Sequence, residues 1–278
     1  MFGAALIVFR ESLEAALLIG IIAAATSGLP HRNRWLGLGM AGGFLGSLVV
    51  AWLTESIATL FGGNGQEIFK ATVLGVAVVM IGWHNLWMAQ HGKETAMRAK
   101  GVGNAIRSGQ QELSAIAIAI ALTVLREGSE AALFLQGMLA STPGSADAVL
   151  LGGLLGLSAG SALGLVTYMG LLRIPLRRFF SVTGTLLLLL AAGLAGQMAK
   201  FLIQADLLPA LASPLWDSSW LLSVQSWPGA ALSMLFGYED KPTGMQVLFY
   251  GITLAVLTAS ASWVHRHAPA PSPTLKSA

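Results

Sequence analysis

Long apolar runs separated by short polar segments fill most of the chain. A helix needs about 20 predominantly apolar residues to cross the hydrocarbon core of a bilayer, and runs of this length recur along the sequence. Helix is the expected structure because an open strand in lipid would leave its backbone groups unpaired. We predict seven membrane-spanning helices, at residues 2–27, 35–60, 67–90, 112–138, 148–172, 179–204 and 245–264.

The segment before the last predicted span breaks this pattern. Residues 209–244 contain several prolines and tryptophans and no uninterrupted apolar run of spanning length. Because Trp is enriched at membrane interfaces, we expect an extracytoplasmic loop that lies at the interface or folds back on the helices. The Pro- and Ser-rich residues from Pro269 onward are expected to be disordered.

Composition agrees with a multi-pass membrane protein. Hydrophobic residues make up 55% of the 278 residues and charged residues only 10%, whereas soluble domains carry roughly 25% charged residues. The net charge of +3 is small and dispersed, so nucleic-acid binding is not indicated. The absence of Cys excludes disulfides and thiol catalysis.

Lys and Arg concentrate in the segments that follow the first, third, fifth and seventh predicted spans. Basic residues mark cytoplasmic loops, so we expect an outside N-terminus and a cytoplasmic C-terminus in the cell membrane, which is the inner membrane if the source is bacterial. The basic residues on this side are Arg32, Arg34, Lys93, Arg98, Lys100, Arg107, Arg173, Arg177, Arg178, Arg266 and Lys276.

One segment occurs twice. Residues 8–17 read VFRESLEAAL and residues 124–133 read VLREGSEAAL, and a fainter echo relates GGFLG at 42–46 to GGLLG at 152–156. Spans one to three and four to six therefore read as two copies of one unit. Because three spans are an odd number, the copies must run in opposite directions, as in the inverted repeats of many secondary transporters.

The predicted fold is an all-α membrane protein with a 3+3 inverted repeat and one additional C-terminal helix. We expect a single permease domain over 1–278. Its parts are a first repeat at 1–105, a second repeat at 106–208, an extracytoplasmic loop at 209–244, a seventh helix at 245–264 and a cytoplasmic tail at 265–278.

The repeated R-E-x-x-E motif places charged residues inside apolar spans. At about 100° per residue, the Arg and both Glu side chains of one motif project into one sector of the helix. A charge at mid-span costs at least ~2.5 kcal/mol, and each motif has one Arg for two carboxylates. The surplus carboxylates predict a cage for a hard cation rather than structural ion pairs alone. Its members are Arg10, Glu11, Glu14, Arg126, Glu127 and Glu130.

Ligand chemistry narrows the cation only in part. Without thiolates or paired His in any span, soft and imidazole-preferring ions are disfavoured. Carboxylate oxygens suit iron(III), calcium, magnesium or manganese. Glu55, near the outer end of the second span, and His84, in the third, are weak candidates for an outer layer of the site. For His84 an interhelical hydrogen bond is the first expectation, and a role in an exit path or a proton relay is the alternative.

The paired motifs in the first and fourth spans resemble the oxidase-dependent iron transporter family, the high-affinity iron permeases of fungi and bacteria. The last third of the chain is also similar, through LWDSSWLL at 215–222 and LFGY at 235–238, followed by Pro242 and Gln246. The resemblance covers essentially the whole chain. It implies that the four motif glutamates, Glu11, Glu14, Glu127 and Glu130, carry iron, and that Arg10 and Arg126 are their ion-pair partners.

The resemblance also implies a working context. Family members typically act beside an extracytoplasmic ferroxidase or related iron-handling protein, and some relatives are associated with lead uptake. We therefore expect an iron permease, not an enzyme, that imports ferric iron after oxidation by a partner, with iron as substrate and no permanent cofactor. The alternatives are import of lead or another divalent ion on the same scaffold, and a membrane carboxylate metalloenzyme.

Overall fold

A computed structural model describes residues 1–60, 66–141, 146–170 and 176–267. These residues form eight α-helices, and no strand occurs among them, so the predicted all-α class is confirmed for the described chain. The helices are α1 (Phe2–Ala25), α2 (Arg32–Leu60), α3 (Gln66–Arg107), α4 (Ser114–Ser141), α5 (Ala146–Tyr168), α6 (Leu176–Gln204), α7 (Trp227–Phe236) and α8 (Gly244–His267). The tail from 268, with its predicted disorder, lies outside the described residues.

Five helices are long and apolar enough to cross a membrane. Their candidate spans are Arg32–Ser56, Gln66–Met88, Ala146–Tyr168, Phe180–Gln204 and Gly244–Trp263. The other two long helices, α1 and α4, have 24 and 28 residues, but the three charges of an R-E-x-x-E motif interrupt each apolar run. Five of the seven predicted spans thus have a matching apolar helix. Whether α1 and α4 also cross the membrane depends on whether their motif charges are kept away from lipid.

Two helical segments lie outside the predicted spans. α3 continues to Arg107, well past the predicted end of the third span, and Ile106 packs in a cluster with Ile22, Leu36 and Ile116. The helix therefore extends because its apolar side covers the ends of its neighbours.

The segment predicted as a loop contains α7. Ser226 caps this short helix by accepting a hydrogen bond from the Gly229 amide, and a proline lies at its first turn. Gly237 ends it in the left-handed conformation. A search for spans of about 20 residues misses a ten-residue helix of this kind.

Glycine faces hold the two motif helices to their neighbours. α1 packs along α5 and α4 packs along α2. A Cβ at Gly156 would lie 2.4 Å from the Ala5 carbonyl oxygen, and one at Gly43 would lie 2.6 Å from the Ala121 carbonyl oxygen. Only glycine permits backbones to approach this closely.

These contacts correct the register of the fainter echo. Gly43 corresponds in its contacts to Gly156, nearly one helical turn beyond Gly153, which the sequence echo pairs with it. Gly153 itself meets only side chains, at ordinary contact distances of 3.8 Å and more. The matching Gly-Gly pairs in the sequence therefore identified the corresponding helices, α2 and α5, but not the residues that make corresponding contacts.

The main core lies where α1, α3, α4 and α6 meet, around Ile7, Ile81, Phe134 and Leu187. Among the described residues, α2 adds no buried residue to this core and α5 adds only Val149. Both helices expose large apolar side chains such as Trp52 and Leu154, as helices that face lipid do. The packing places the charged segments of α1 and α4 against each other and against α3.

Candidate metal site

Each R-E-x-x-E motif forms the same internal ion pair. Arg10 Nε donates a hydrogen bond to Glu14 Oε1 at 2.9 Å. In the second motif, Arg126 Nε donates to Glu130 Oε1 at 3.1 Å. Both pairs join residues four apart, which lie on one side of an α-helix. The first Glu of each motif, Glu11 or Glu127, makes no such hydrogen bond with its Arg. Glu127 has only a longer contact, with 3.8 Å between its Oε1 and Arg126 Nε.

The two motifs meet in the interior of the bundle. One ligand atom from each of Glu11, His84, Glu127 and Glu130 lies within 4.8 Å of the others. Glu11 is 1% exposed and His84 4%, and only Glu130 is partly exposed. Glu14 adjoins the group, since its Oε2 is 3.6 Å from His84 Nε2. All four predicted glutamates therefore lie in or beside one cluster.

Several carboxylate oxygens in this cluster lack a donor. Both oxygens of Glu11, Oε2 of Glu14 and Oε2 of Glu127 are buried and accept no hydrogen bond from the described residues. A buried carboxylate oxygen without a donor is strongly unfavourable. A cation among these oxygens would supply the missing interaction, so the donor set fits a metal ion.

His84 is the residue that sequence reasoning undervalued. It lies on α3, outside both motifs, and its Nδ1 contacts Glu130 Oε2 while its Nε2 faces Glu11 and Glu14. We placed it in an outer layer, yet its ring lies among the carboxylates. The available signal was that His84 is the one histidine within a predicted span.

The two motifs differ in exposure. The Arg10 side chain is 2% exposed, whereas that of Arg126 is 37% exposed and lies 4.3 Å from the centre of the Trp87 ring. Cation–π contact with an aromatic face is favourable for a guanidinium group. The cluster is therefore closed beside the first motif and open beside the second.

Glu55 does not join the cluster. It is exposed on α2 and accepts a hydrogen bond from Gln136 Nε2 of α4 at 2.6 Å. The structure thus separates the two weak candidates, with His84 inside the cluster and Glu55 apart from it.

Acidic residues in the segment between α6 and α8 have partners of their own. Lys241 Nζ lies 3.0 Å from Asp217 Oδ2, and Lys200 Nζ lies 3.3 Å from Glu239 Oε1. Hydrogen bonds from Ser219 and the nearby Lys241 ammonium lower the pKa of Asp217 to about 2. These carboxylates are engaged in holding the loop, and they form no second cation cluster with each other.

Comparison with known proteins assigns the chain to a family. Residues 1–264 match the family described as "Iron permease FTR1 family". The chain is 31% identical to "Ferrous iron permease EfeU" of Escherichia coli O6:H1 over 91% of its length and 92% of the relative. It is 30% identical to the protein of the same name from Yersinia pestis, over 91% and 90%. No solved structure matches the chain. The family match and these relatives show that the chain belongs to the FTR1 iron permease family.

Proposed function

We propose that the protein imports iron across the cell membrane through the buried cluster of Glu11, Glu14, Glu127 and Glu130. Iron is the substrate of the family, and the observation that carries the site is the set of buried carboxylate oxygens without donors. Arg10 and Arg126 each hold one Glu of their motif in place. This leaves Glu11 and Glu127 as the carboxylates most available to the ion.

The charge of the cluster favours a divalent ion. If all four carboxylates are ionised and the imidazole is neutral, as metal binding requires, the group with its two Arg carries a net charge of −2, which one iron(II) ion balances. The relatives are named ferrous iron permeases. We therefore propose iron(II) as the transported form. The ferric iron expected from the sequence resemblance, supplied by an extracytoplasmic ferroxidase or iron-handling partner, is the alternative that the uptake experiment tests.

We propose further that α1 and α4 also cross the membrane, which makes seven spans. Four of their six motif charges are buried in the bundle and Arg126 is the most exposed, so the usual cost of charge in a span is reduced. The pairing of α1 with α5 and of α4 with α2 is the exchange that a two-fold axis in the membrane plane produces. It supports the inverted repeat, with the site between its halves. The basic residues after the first, third, fifth and seventh predicted spans support an outside N-terminus.

The experiment is uptake of radioactive iron into proteoliposomes that contain the purified protein. Iron(II) under anaerobic reducing conditions is compared with chelated iron(III), and lead is added as a competitor. Glu11→Gln and Glu127→Gln should each reduce uptake at least about tenfold, because each removes an anionic ligand. Glu55→Gln is the matched control, since Glu55 lies outside the cluster, and it should retain normal uptake.

Normal uptake by both cluster variants would overturn the proposed site. Uptake of iron(III) alone would restore the ferric alternative, and equal uptake of lead would replace iron selectivity with a broader divalent permease. Bound iron that turns over a redox reaction without any uptake would favour the metalloenzyme.

A further inference from the structure

His84 stands between the two motifs although it belongs to neither. Its Nε2 is 3.7 Å from Glu11 Oε2 and 3.6 Å from Glu14 Oε2, and its Nδ1 contacts Glu130. The imidazole ring thus faces the first motif with one nitrogen and the second motif with the other. In the chain as described, it is the non-carboxylate member of the cluster of possible ligand atoms.

Hydrogen bonding alone does not account for the Nε2 side of this ring. Separations of 3.6 and 3.7 Å are too long for hydrogen bonds to Glu14 and Glu11. Both Glu11 oxygens also remain without a donor. If the imidazole served only as a hydrogen-bond donor to Glu11 and Glu14, we would expect Nε2 to lie within hydrogen-bonding distance of one of them, since α1 and α3 are already in contact.

The spacing suits a shared ion. First-row metal ions hold nitrogen and oxygen ligands at about 2.1 Å, so two opposed ligands on one ion lie about 4.2 Å apart. The ligand atoms of Glu11, His84, Glu127 and Glu130 lie within 4.8 Å of one another. Even the largest of these separations exceeds the span of opposed ligands by only about 0.6 Å, so small side-chain shifts would bring the four atoms onto one ion.

Asn85, the residue after His84, restrains the orientation of α3. Asn85 Nδ2 donates a hydrogen bond to the Gly184 carbonyl oxygen of α6 at 3.0 Å. This bond ties α3 to α6 and restrains rotation of α3 about its axis. The imidazole is therefore held toward the motifs before any ion arrives, which is the arrangement expected of a preorganised ligand.

We propose that His84 is a direct ligand of the transported ion and that its nitrogen makes the site select iron(II) over magnesium, calcium and manganese. Sites built from carboxylates alone suit these harder ions, whereas imidazole suits iron, zinc, copper and nickel. The inference rests on the proposed transport function and adds the residue that sets metal selectivity.

The test compares His84→Asn with His31→Asn in proteoliposomes. Asn is uncharged and offers oxygen in place of imidazole nitrogen. His31 is an exposed histidine with a positive φ of 60°, a conformation that Asn tolerates, so it is a matched control. For each protein, half-saturation by iron(II) and inhibition by manganese and magnesium are measured under anaerobic conditions. His84→Asn should lose at least about tenfold in preference for iron over manganese, and His31→Asn should lose none.

A second variant and a spectroscopic readout do not depend on transport. His84→Asp supplies a hard anionic oxygen and should bind manganese and calcium more tightly than the unsubstituted protein does. X-ray absorption at the iron edge should show imidazole scattering in the unsubstituted protein and none in either His84 variant.

Unchanged selectivity in His84→Asn, or bound iron without imidazole scattering in the unsubstituted protein, would overturn the inference. These results are distinct from failure of the proposed function. If the unsubstituted protein takes up no iron in either oxidation state, the transport proposal fails, while the absorption spectrum of bound iron still decides whether His84 is a ligand.

Discussion

Ser47 on α2 lies so close to Gly128 on α4 that a Cβ at position 128 would be 2.2 Å from the Ser47 hydroxyl oxygen. The other motif helix makes the same kind of contact with the two residue types exchanged. There, Gly160 on α5 faces Ser12 on α1, and a Cβ at position 160 would be 2.1 Å from the Ser12 hydroxyl oxygen. Gly128 and Ser12 occupy the same position in the two repeated segments. Each contact therefore anchors a motif helix beside its charged residues.

Close packing of the motif helices should be sensitive to a single methyl group. Gly43→Ala on α2 would place Cβ 2.6 Å from the Ala121 carbonyl oxygen, so we expect overpacking to cost about 1–3 kcal/mol. Gly37→Ala on the same helix meets nothing within 4 Å and should be neutral or stabilising. Thermal unfolding of the purified proteins in detergent measures the difference. Equal midpoints for the two variants would contradict the close approach of α2 and α4.

The two arginines should differ in their contribution to stability. Arg10→Gln leaves Glu14 without its partner in a buried setting, which costs about 3–5 kcal/mol. Arg126→Gln should cost less, nearer the ~1 kcal/mol of an exposed pair, since Arg126 is partly exposed. Membrane accumulation and the unfolding midpoint of each variant provide the comparison. A larger loss for Arg126→Gln would show that the second motif is the more enclosed one.

Metal should stabilise the folded protein, and the effect should depend on Glu127. Iron(II) at one hundred times its dissociation constant should add about 2.7 kcal/mol to the free energy of unfolding. Glu127→Gln should abolish this gain with little effect on the metal-free unfolding midpoint. Its Oε2 has no donor to lose, and its ion pair with the partly exposed Arg126, 3.8 Å from Oε1, is long and weak. Thermal unfolding with and without anaerobic iron(II) measures both quantities. A lower metal-free midpoint would instead indicate that Glu127 is a structural ion-pair partner.

The predicted orientation can be tested in a chain without native Cys. Ser108→Cys, after the long α3, and Gln225→Cys, just before α7, both replace exposed residues. With the N-terminus outside, a membrane-impermeant maleimide should label position 225 in intact cells and position 108 only after permeabilisation. The opposite labelling pattern would reverse the orientation.

The motif glutamates could be predicted from sequence because charge in an apolar span is costly and its repetition is informative. Glu11, Glu14, Glu127 and Glu130 stand out for this reason and converge in the structure. The α7 helix was missed because its caps, Ser226 and Gly237, act locally. Glu55 and His84 both looked weak in the sequence, since neither belongs to the repeated motif.

The sequence by itself determined the helical class, five apolar spans and the two motifs, because apolar length and charge are properties of local segments. Tertiary structure decided which polar residues share the cluster. His84 and Glu55 were separated by how α2 and α3 pack against the motif helices, with Glu55 bound to Gln136 and the His84 ring turned inward. Such contacts join residues far apart in the chain, and their geometry depends on glycine contacts and helix rotations that no local pattern encodes.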